Sequence, residues 1–296
     1  MRVLAIFGPT AVGKTGVAIE TAKLLRDRGE DPVAISCDAI QVYRELEIVS
    51  GAASGAERAQ LEHRLLGIAG LDEEFSAGRF ARLAHAEIDA LLGEGRRPIV
   101  VGGTGLYMRA ALAALELRPP VPAEVRAAVE AELEARGPEA LHGELPEELA
   151  SGVHPNDRKR IARLTELSRL GIGAHPSGSG MWSEGLRVPT LLVGLTIERD
   201  ELRERIGARA AEMVRLGAEQ EVRSADLAGA RRTARAAIGF DELLEGDGEE
   251  MERAQWRYAR RQLTWMRRME DVVQLDRSGR SNADVAAEIV AMLDRG

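Results

Sequence analysis

Gly8-Pro9-Thr10-Ala11-Val12-Gly13-Lys14-Thr15 is a complete G-x-x-x-x-G-K-T sequence, and it follows the apolar run Val3-Leu4-Ala5-Ile6-Phe7. Such a pattern binds phosphate for a physical reason. Its glycines let backbone N–H groups turn inward around phosphate oxygens, the Lys14 ammonium reaches the terminal phosphate, and the Thr15 hydroxyl is placed to ligate Mg²⁺. Gly8, Thr10, Ala11, Val12, Gly13, Lys14 and Thr15 are therefore the candidate phosphate-binding residues, with Thr15 the candidate metal ligand. Phosphate would also meet the positive end of the following helix, which Val17, Thr21, Leu24 and Leu25 mark by their spacing. The competing reading is a glycine-rich turn with an incidental lysine. Against it, the chain holds only Lys14, Lys23 and Lys159 and uses arginine wherever else such a cation stands.

A phosphate loop that drives nucleotide hydrolysis needs an apolar strand ending in Asp or Glu, which holds Mg²⁺. The best candidate strand, Ile99-Val100-Val101, ends instead in Gly102-Gly103-Thr104-Gly105. The available carboxylate is Asp38, directly after the apolar segment Pro32-Val33-Ala34-Ile35-Ser36-Cys37. It is better suited to taking a proton from an acceptor substrate beside the phosphates, which points to group transfer. A helix N-cap is the structural alternative for Asp38, and a tight turn the alternative for the glycines. Thr104 adds a hydroxyl that both donates and accepts.

The elements that position these residues alternate. Strand signals at 3–7, 32–36 and 99–101 are separated by amphipathic helices, one of them at 76–92, and this order predicts an α/β fold: a parallel sheet with helices on both faces. In such a sheet ligands collect at the carboxyl ends of the strands. After the Pro-rich joint 118–122 the strand signals stop for roughly seventy residues, which predicts a helical insertion over 118–189, with helices at 123–136 and 158–170 and a loose loop at 171–188. The core would then comprise 1–117 and 190–296, with a returning strand at 190–197, helices at 200–215, 234–244 and 249–269, a short strand at 272–275 and a terminal helix at 282–293.

Composition narrows the classes. No uninterrupted apolar run is long enough to span a membrane and Cys37 is the only cysteine, so a cytoplasmic protein without disulfides is expected. A net charge of −8 argues against a general nucleic-acid coat, although local basic surfaces remain open. Two segments are basic. Arg158, Lys159, Arg160, Arg163 and Arg169 face only Asp157 and Glu166. Arg253, Arg257, Arg260, Arg261, Arg267 and Arg268 occupy a stretch without one acid, which favours contact with a polyanion. Trp256, Ala259, Leu263 and Met266 form the apolar stripe of that second segment, so Trp256 is read as core and the arginines as the opposite face.

Taken together the chain resembles the tRNA dimethylallyltransferases, also called tRNA isopentenyltransferases. The resemblance rests on Gly8 to Thr15, on Ser36-Cys37-Asp38-Ala39-Ile40-Gln41-Val42-Tyr43-Arg44 and on Val101-Gly102-Gly103-Thr104-Gly105-Leu106-Tyr107. It continues through His154-Pro155-Asn156-Asp157 with Arg160 and Arg163, Ala237-Ile238-Gly239-Phe240, and Tyr258-Ala259-Arg260-Arg261-Gln262-Leu263-Thr264-Trp265. It implies a phosphate-loop fold and transfer of a dimethylallyl group from dimethylallyl diphosphate to N6 of the adenine at tRNA position 37, assisted by Mg²⁺; a monomer is expected, although the sequence does not fix the oligomeric state. The loop would hold the diphosphate leaving group, with Lys14 stabilising its charge. Asp38 would be the base for the N6 proton and Thr104 would fix the adenine. Contacts to the tRNA anticodon stem-loop are implied for Asp38, Ala39, Ile40, Gln41, Thr104, Arg126, Lys159, Arg160 and Arg163. The chain departs from the family pattern at Ala39, at Glu47-Ile48-Val49-Ser50-Gly51-Ala52-Ala53, where a lysine is lost, and at Gln255-Trp256, which replace a Thr-Arg pair. A small-molecule kinase also pairs a phosphate loop with an aspartate after the second strand, and is the alternative.

Overall fold

The computed structural model describes residues 1–115, 121–173, 185–269 and 272–295. Most of the Pro-rich joint at 118–122 and most of the loop at 171–188 lie outside the described residues. In chain order the elements run β1 (Val3–Phe7), α1 (Lys14–Arg26), β2 (Pro32–Cys37), the short helices α2 (Glu47–Ser50) and α3 (Gly55–Gln60), β3 (His63–Arg64), α4 (Ala77–Gly93), β4 (Arg97–Gly102) and α5 (Gly105–Leu112). Helices α6 (Ala123–Glu144), α7 (Glu147–Ala150) and α8 (Arg158–Arg169) follow. Then come β5 (Thr190–Thr196), α9 (Arg199–Arg215), α10 (Ala218–Leu227), the short α11 (Arg232–Arg235) and α12 (Phe240–Leu244), α13 (Gly248–Met266), β6 (Val272–Asp276) and α14 (Asn282–Asp294).

Six parallel strands form one sheet in the order β3-β2-β4-β1-β5-β6, with helices on both sides. The central strands are unbroken apolar runs because both faces are covered; β1 and β2 are buried at every position. Leu4, Ile6, Val193 and Leu195 meet Val17 and Leu25 of α1 and Val285 and Ile289 of α14 in the main core. Register sets the site. Phe7 and Cys37 both stand opposite Gly102, so the segments leaving β1, β2 and β4 emerge side by side at the carboxyl edge. A parallel sheet gathers its ligands there.

The chain divides into two compact units, Met1–Glu116 with Met181–Gly296, and Leu117–Gly180. In the smaller unit, α6 and α8 pack through Val129, Leu133, Leu141 and Ile161. Helix α6 runs past its expected end but breaks at Gly137, whose φ is 77°, ahead of Pro138. The Asp157 carboxylate accepts from the Arg160 N–H and caps α8. This packing corrects the charge read from sequence: Arg158 pairs with Glu134, Arg169 with Glu132 at 2.6 Å and Arg163 with Glu166 at 3.0 Å. Acids from a different helix balance much of the basic run.

The larger unit differs from expectation around 234–244. Periodicity predicts one helix there, but α11 and α12 are separate because Gly239 takes φ 100° and its hypothetical Cβ would collide with Met251 of α13. Arg253 pairs with Glu250 at 2.6 Å and Glu249 at 3.3 Å, and Arg257 with Glu250 at 2.7 Å. The acid-free run is therefore partly neutralised by acids one and two turns upstream.

Candidate active site

The phosphate loop leaves β1 and enters α1 through two residues in the left-handed region, Ala11 at φ 61° and Gly13 at φ 91°. Gly13 is the N-cap of α1 and supplies no side-chain cap, so the first amides of the helix are left for a ligand. Lys14 Nζ donates to the carbonyls of Gly8 at 3.1 Å and Pro9 at 2.9 Å, folded over its own loop. Thr15 follows as the second residue of α1 and is half-buried. Two residues from far along the chain hold the loop. Gln262 Oε1 accepts from the Thr10 N–H at 2.7 Å, and Arg277, buried, donates through Nη1 to the Val12 carbonyl.

Asp38 leaves β2 in a tight turn. Its Oδ1 accepts from the N–H groups of Ile40 at 2.9 Å and Gln41 at 3.4 Å, and its Oδ2 accepts from the Thr104 hydroxyl at 3.2 Å. Thr104 is the N-cap of α5 but makes no side-chain cap, so its hydroxyl is free to face Asp38. Tyr258 of α13 lies 3.0 Å from Thr104 Oγ1. Burial and the Asp38 charge push the Tyr258 hydroxyl well above its ordinary range, so it stays protonated. Because the Thr104 proton goes to Asp38, Tyr258 donates to Thr104, and a two-step chain of hydrogen bonds ends on the carboxylate. Asp38 Oδ2 keeps a lone pair for an incoming proton. The Gln41 amide braces the turn, accepting from Ser36 at 2.8 Å and donating to the carbonyls of Gly51 at 3.2 Å and Ser50 at 3.4 Å.

Two residues of this site escape sequence reading, Arg277 and Arg209. Arg209 of α9 is half-buried, donates to the Ser50 carbonyl at 3.3 Å and keeps a buried Nε without a partner. It fits because Gly51 has no side chain there; a Cβ would collide with the guanidinium. Burial and the Arg209 charge together lower Lys14 to about 7, opposed by Asp38. Two cations so placed, with one carboxylate nearby, form a site in need of an anion. Arg209 carries no motif, and only the fold brings it near Lys14. Tyr258 and Gln262 lie in a legible motif, but nothing local indicates what they touch.

The structure thus joins Gly8, Thr10, Ala11, Val12, Gly13, Lys14 and Thr15 with Asp38, Ala39, Ile40, Gln41 and Thr104 at one edge of one sheet. Arg126, Lys159, Arg160 and Arg163 belong to the other unit. There Arg126 at 3.9 Å and Arg163 at 3.0 Å converge on the buried Glu166, while Lys159 and Arg160 are exposed on the first turn of α8. Among the described residues no cluster of three or more His, Cys, Asp or Glu is arranged to hold a metal. Thr15 fits Mg²⁺ in another way, since that ion commonly takes few protein ligands and completes its shell with substrate phosphates and water.

A parallel sheet with a phosphate loop and a carboxylate at the same carboxyl edge is the architecture of a phosphate-loop transferase. A family model described as IPP transferase matches residues 41–269. The tRNA dimethylallyltransferase of Streptomyces griseus is 36% identical, covering 99% of this chain and 96% of its own length, and that of Exiguobacterium sibiricum is 38% identical, covering 91% and 88%. The solved tRNA isopentenylpyrophosphate transferase of Bacillus halodurans superposes with a TM-score of 0.72 at 31% identity, covering 99% of this chain and 95% of that one. The chain belongs to the IPP transferase family, the family of the tRNA dimethylallyltransferases.

Proposed function

We propose that the chain transfers a dimethylallyl group from dimethylallyl diphosphate to N6 of the adenine at position 37 of tRNA. The observation that carries this reading is the placement of Asp38 and Thr104, hydrogen-bonded to each other, beside a phosphate loop whose neighbouring strand β4 ends at Gly102 without the carboxylate that nucleotide hydrolysis needs. The diphosphate lies on the loop amides, with Lys14 and Arg209 on its oxygens. Both cations gain from the charge that develops on the leaving group, which lowers the barrier only if their attraction grows toward the transition state. Mg²⁺, held by Thr15 and the phosphate oxygens, would add positive charge at the same place.

The adenine N6 attacks C1 of the dimethylallyl group while the C1–O bond to diphosphate breaks. Asp38 Oδ2 takes the N6 proton, and the Tyr258–Thr104 chain holds that oxygen in position. Reaching N6 requires the base to leave the stack, at a cost of about a few kcal/mol. Phosphate contacts on exposed cations, Lys159 and Arg160 in the insertion and Arg260, Arg261 and Arg267 on the segment of α13, offset that cost and position the RNA without reading its sequence. Among the described residues no helix is long and apolar enough to cross a membrane.

The test is incubation with dimethylallyl diphosphate, Mg²⁺ and bulk tRNA, followed by digestion to nucleosides. N6-dimethylallyladenosine is the expected product. Product that forms only with ATP, or ATP consumed without the prenyl donor, would instead favour the kinase reading.

A further inference from the structure

Beside the phosphate loop, α9 and α13 enclose an open groove of about 840 Å³. Its floor is apolar: Trp256 and Leu263 of α13 with Leu202 and Ile197, packed against Ala11 of the loop itself. The expectation that Trp256 is core is corrected here. Ala259 and Met266 of the same stripe are buried, but Trp256 is half-buried and lines the groove. The Arg199 guanidinium stands over its ring, 5.9 Å from the centroid.

The rim is cationic. Five arginines line the groove: Arg257 is paired with Glu250, while among the described residues Arg199, Arg260, Arg261 and Arg267 have no carboxylate partner. Several other arginines on these two helices are paired, as Arg205 is with Glu201, Arg215 with Glu212 and Arg253 with Glu250. Arg260 and Arg267 are two turns apart, about 10.5 Å along the axis, which suits more than one phosphate. Phosphates alone make no use of an aromatic floor. A duplex presents phosphates but keeps its bases stacked inside, whereas an unpaired strand offers both a backbone and free base faces.

We propose that this groove is a nucleotide subsite for an unpaired segment of the RNA substrate, with one base stacked on Trp256 and its flanking phosphates on Arg260 and Arg267. The proposal rests on the tRNA reading above and adds to it a base contact away from the reacting adenine. Arg199 would close over the stacked base from the rim.

Binding of an anticodon stem-loop RNA and of a blunt RNA duplex of equal length is measured for the full chain and for Trp256→Ala and Trp256→Phe. Trp256→Ala should weaken stem-loop binding by about 5- to 150-fold, the equivalent of the roughly 1–3 kcal/mol that base–aromatic stacking contributes. It should leave duplex binding and the salt slope unchanged, and Trp256→Phe should recover most of the loss. As a readout independent of that variant's folding, a chain carrying Trp182→Phe and Trp265→Phe reports Trp256 fluorescence, which the stem-loop should quench and the duplex should not. A Trp256→Ala chain that binds the stem-loop within twofold of the parent overturns the stacking contact and leaves the tRNA reading standing. Failure of the parent chain to bind the stem-loop at all overturns both. Quenching by ATP but not by the stem-loop assigns the groove to a mononucleotide and overturns the proposal.

Discussion

Gln262 accepts the Thr10 N–H on Oε1 at 2.7 Å and donates from Nε2 to the Gly103 carbonyl at 2.8 Å, so one amide on α13 fastens the phosphate loop to the turn that carries Thr104. The phosphate loop and the Asp38–Thr104 pair are thereby held in register by a side chain 252 residues away from Thr10. Gly103 must be glycine for this contact, since a Cβ would collide with the Gln262 amide and approach the Gly8 carbonyl.

Breaking that clamp should harm donor use and stability together. Gln262→Ala leaves a loop N–H and a turn carbonyl without partners, at about 1–3 kcal/mol each if they stay dry. A lower Tm and a raised KM for dimethylallyl diphosphate are expected. Gln262→Glu can still accept from Thr10 but cannot donate to Gly103 and sets a negative charge beside the diphosphate. Its KM should rise further than that of the alanine variant, as steady-state kinetics would reveal.

Asp38→Asn keeps the turn, because an amide oxygen can still accept from Ile40 and Gln41. It loses the base. Single-turnover rates should drop by about 10²–10⁴ while the Kd for tRNA stays close to that of the parent chain; a single-turnover rate equal to the parent's would remove Asp38 from the proton transfer.

The titration of Lys14 near 7 places its loss of charge within the working range. Its pKa is depressed by burial and by Arg209, so the free site holds fewer protons than an ordinary lysine would, and the charged form that would hold the proposed diphosphate is depleted as pH rises through about 7. Donor affinity should therefore fall above that pH, by up to about tenfold per unit. Binding near neutrality should take up a proton, which calorimetry in buffers of different ionisation enthalpy measures directly.

Arg209→Ala should lower kcat/KM for the donor by about 10²–10³, the size of effect expected when one preorganised donor to a developing anion is removed. It should also move the Lys14 titration upward, because the repelling charge is gone while burial remains. A pH profile for donor binding that keeps its midpoint in the variant would show that the two cations do not interact.

In the insertion, exposed Lys159 and Arg160, the latter in a surface pair with Asp157 at 3.6 Å, should separate from Arg163, which is paired with a buried acid. Lys159→Gln with Arg160→Gln should flatten the salt dependence of tRNA binding by about one unit of slope for each phosphate no longer neutralised, without changing Tm. Arg163→Gln strips one of two arginines from the buried Glu166 and should cost about 1–3 kcal/mol of stability, read from denaturant unfolding.

The sequence by itself determined the sheet and its edge. An apolar run followed by a turn bearing glycine or aspartate is a local pattern, and three of them in an alternating chain commit Gly8 to Thr15, Asp38 and Thr104 to the carboxyl end of a parallel sheet, where ligands bind. What lies opposite those residues was decided only in three dimensions. Gln262 reaches Thr10, Tyr258 reaches Thr104 and Arg209 reaches the space left by Gly51 through packing of α9 and α13 over the sheet, and no neighbouring residue in sequence encodes those meetings. Charge followed the same rule. Counting acids along the chain leaves Arg158 and Arg169 unpaired, but the apolar faces of α6 and α8 pack together and carry Glu134 and Glu132 to them. Trp256 fits the apolar stripe of its helix by spacing, yet the neighbouring helix covers only part of it. Periodicity specifies which face of a helix is apolar; how far that face is buried depends on the elements that arrive against it.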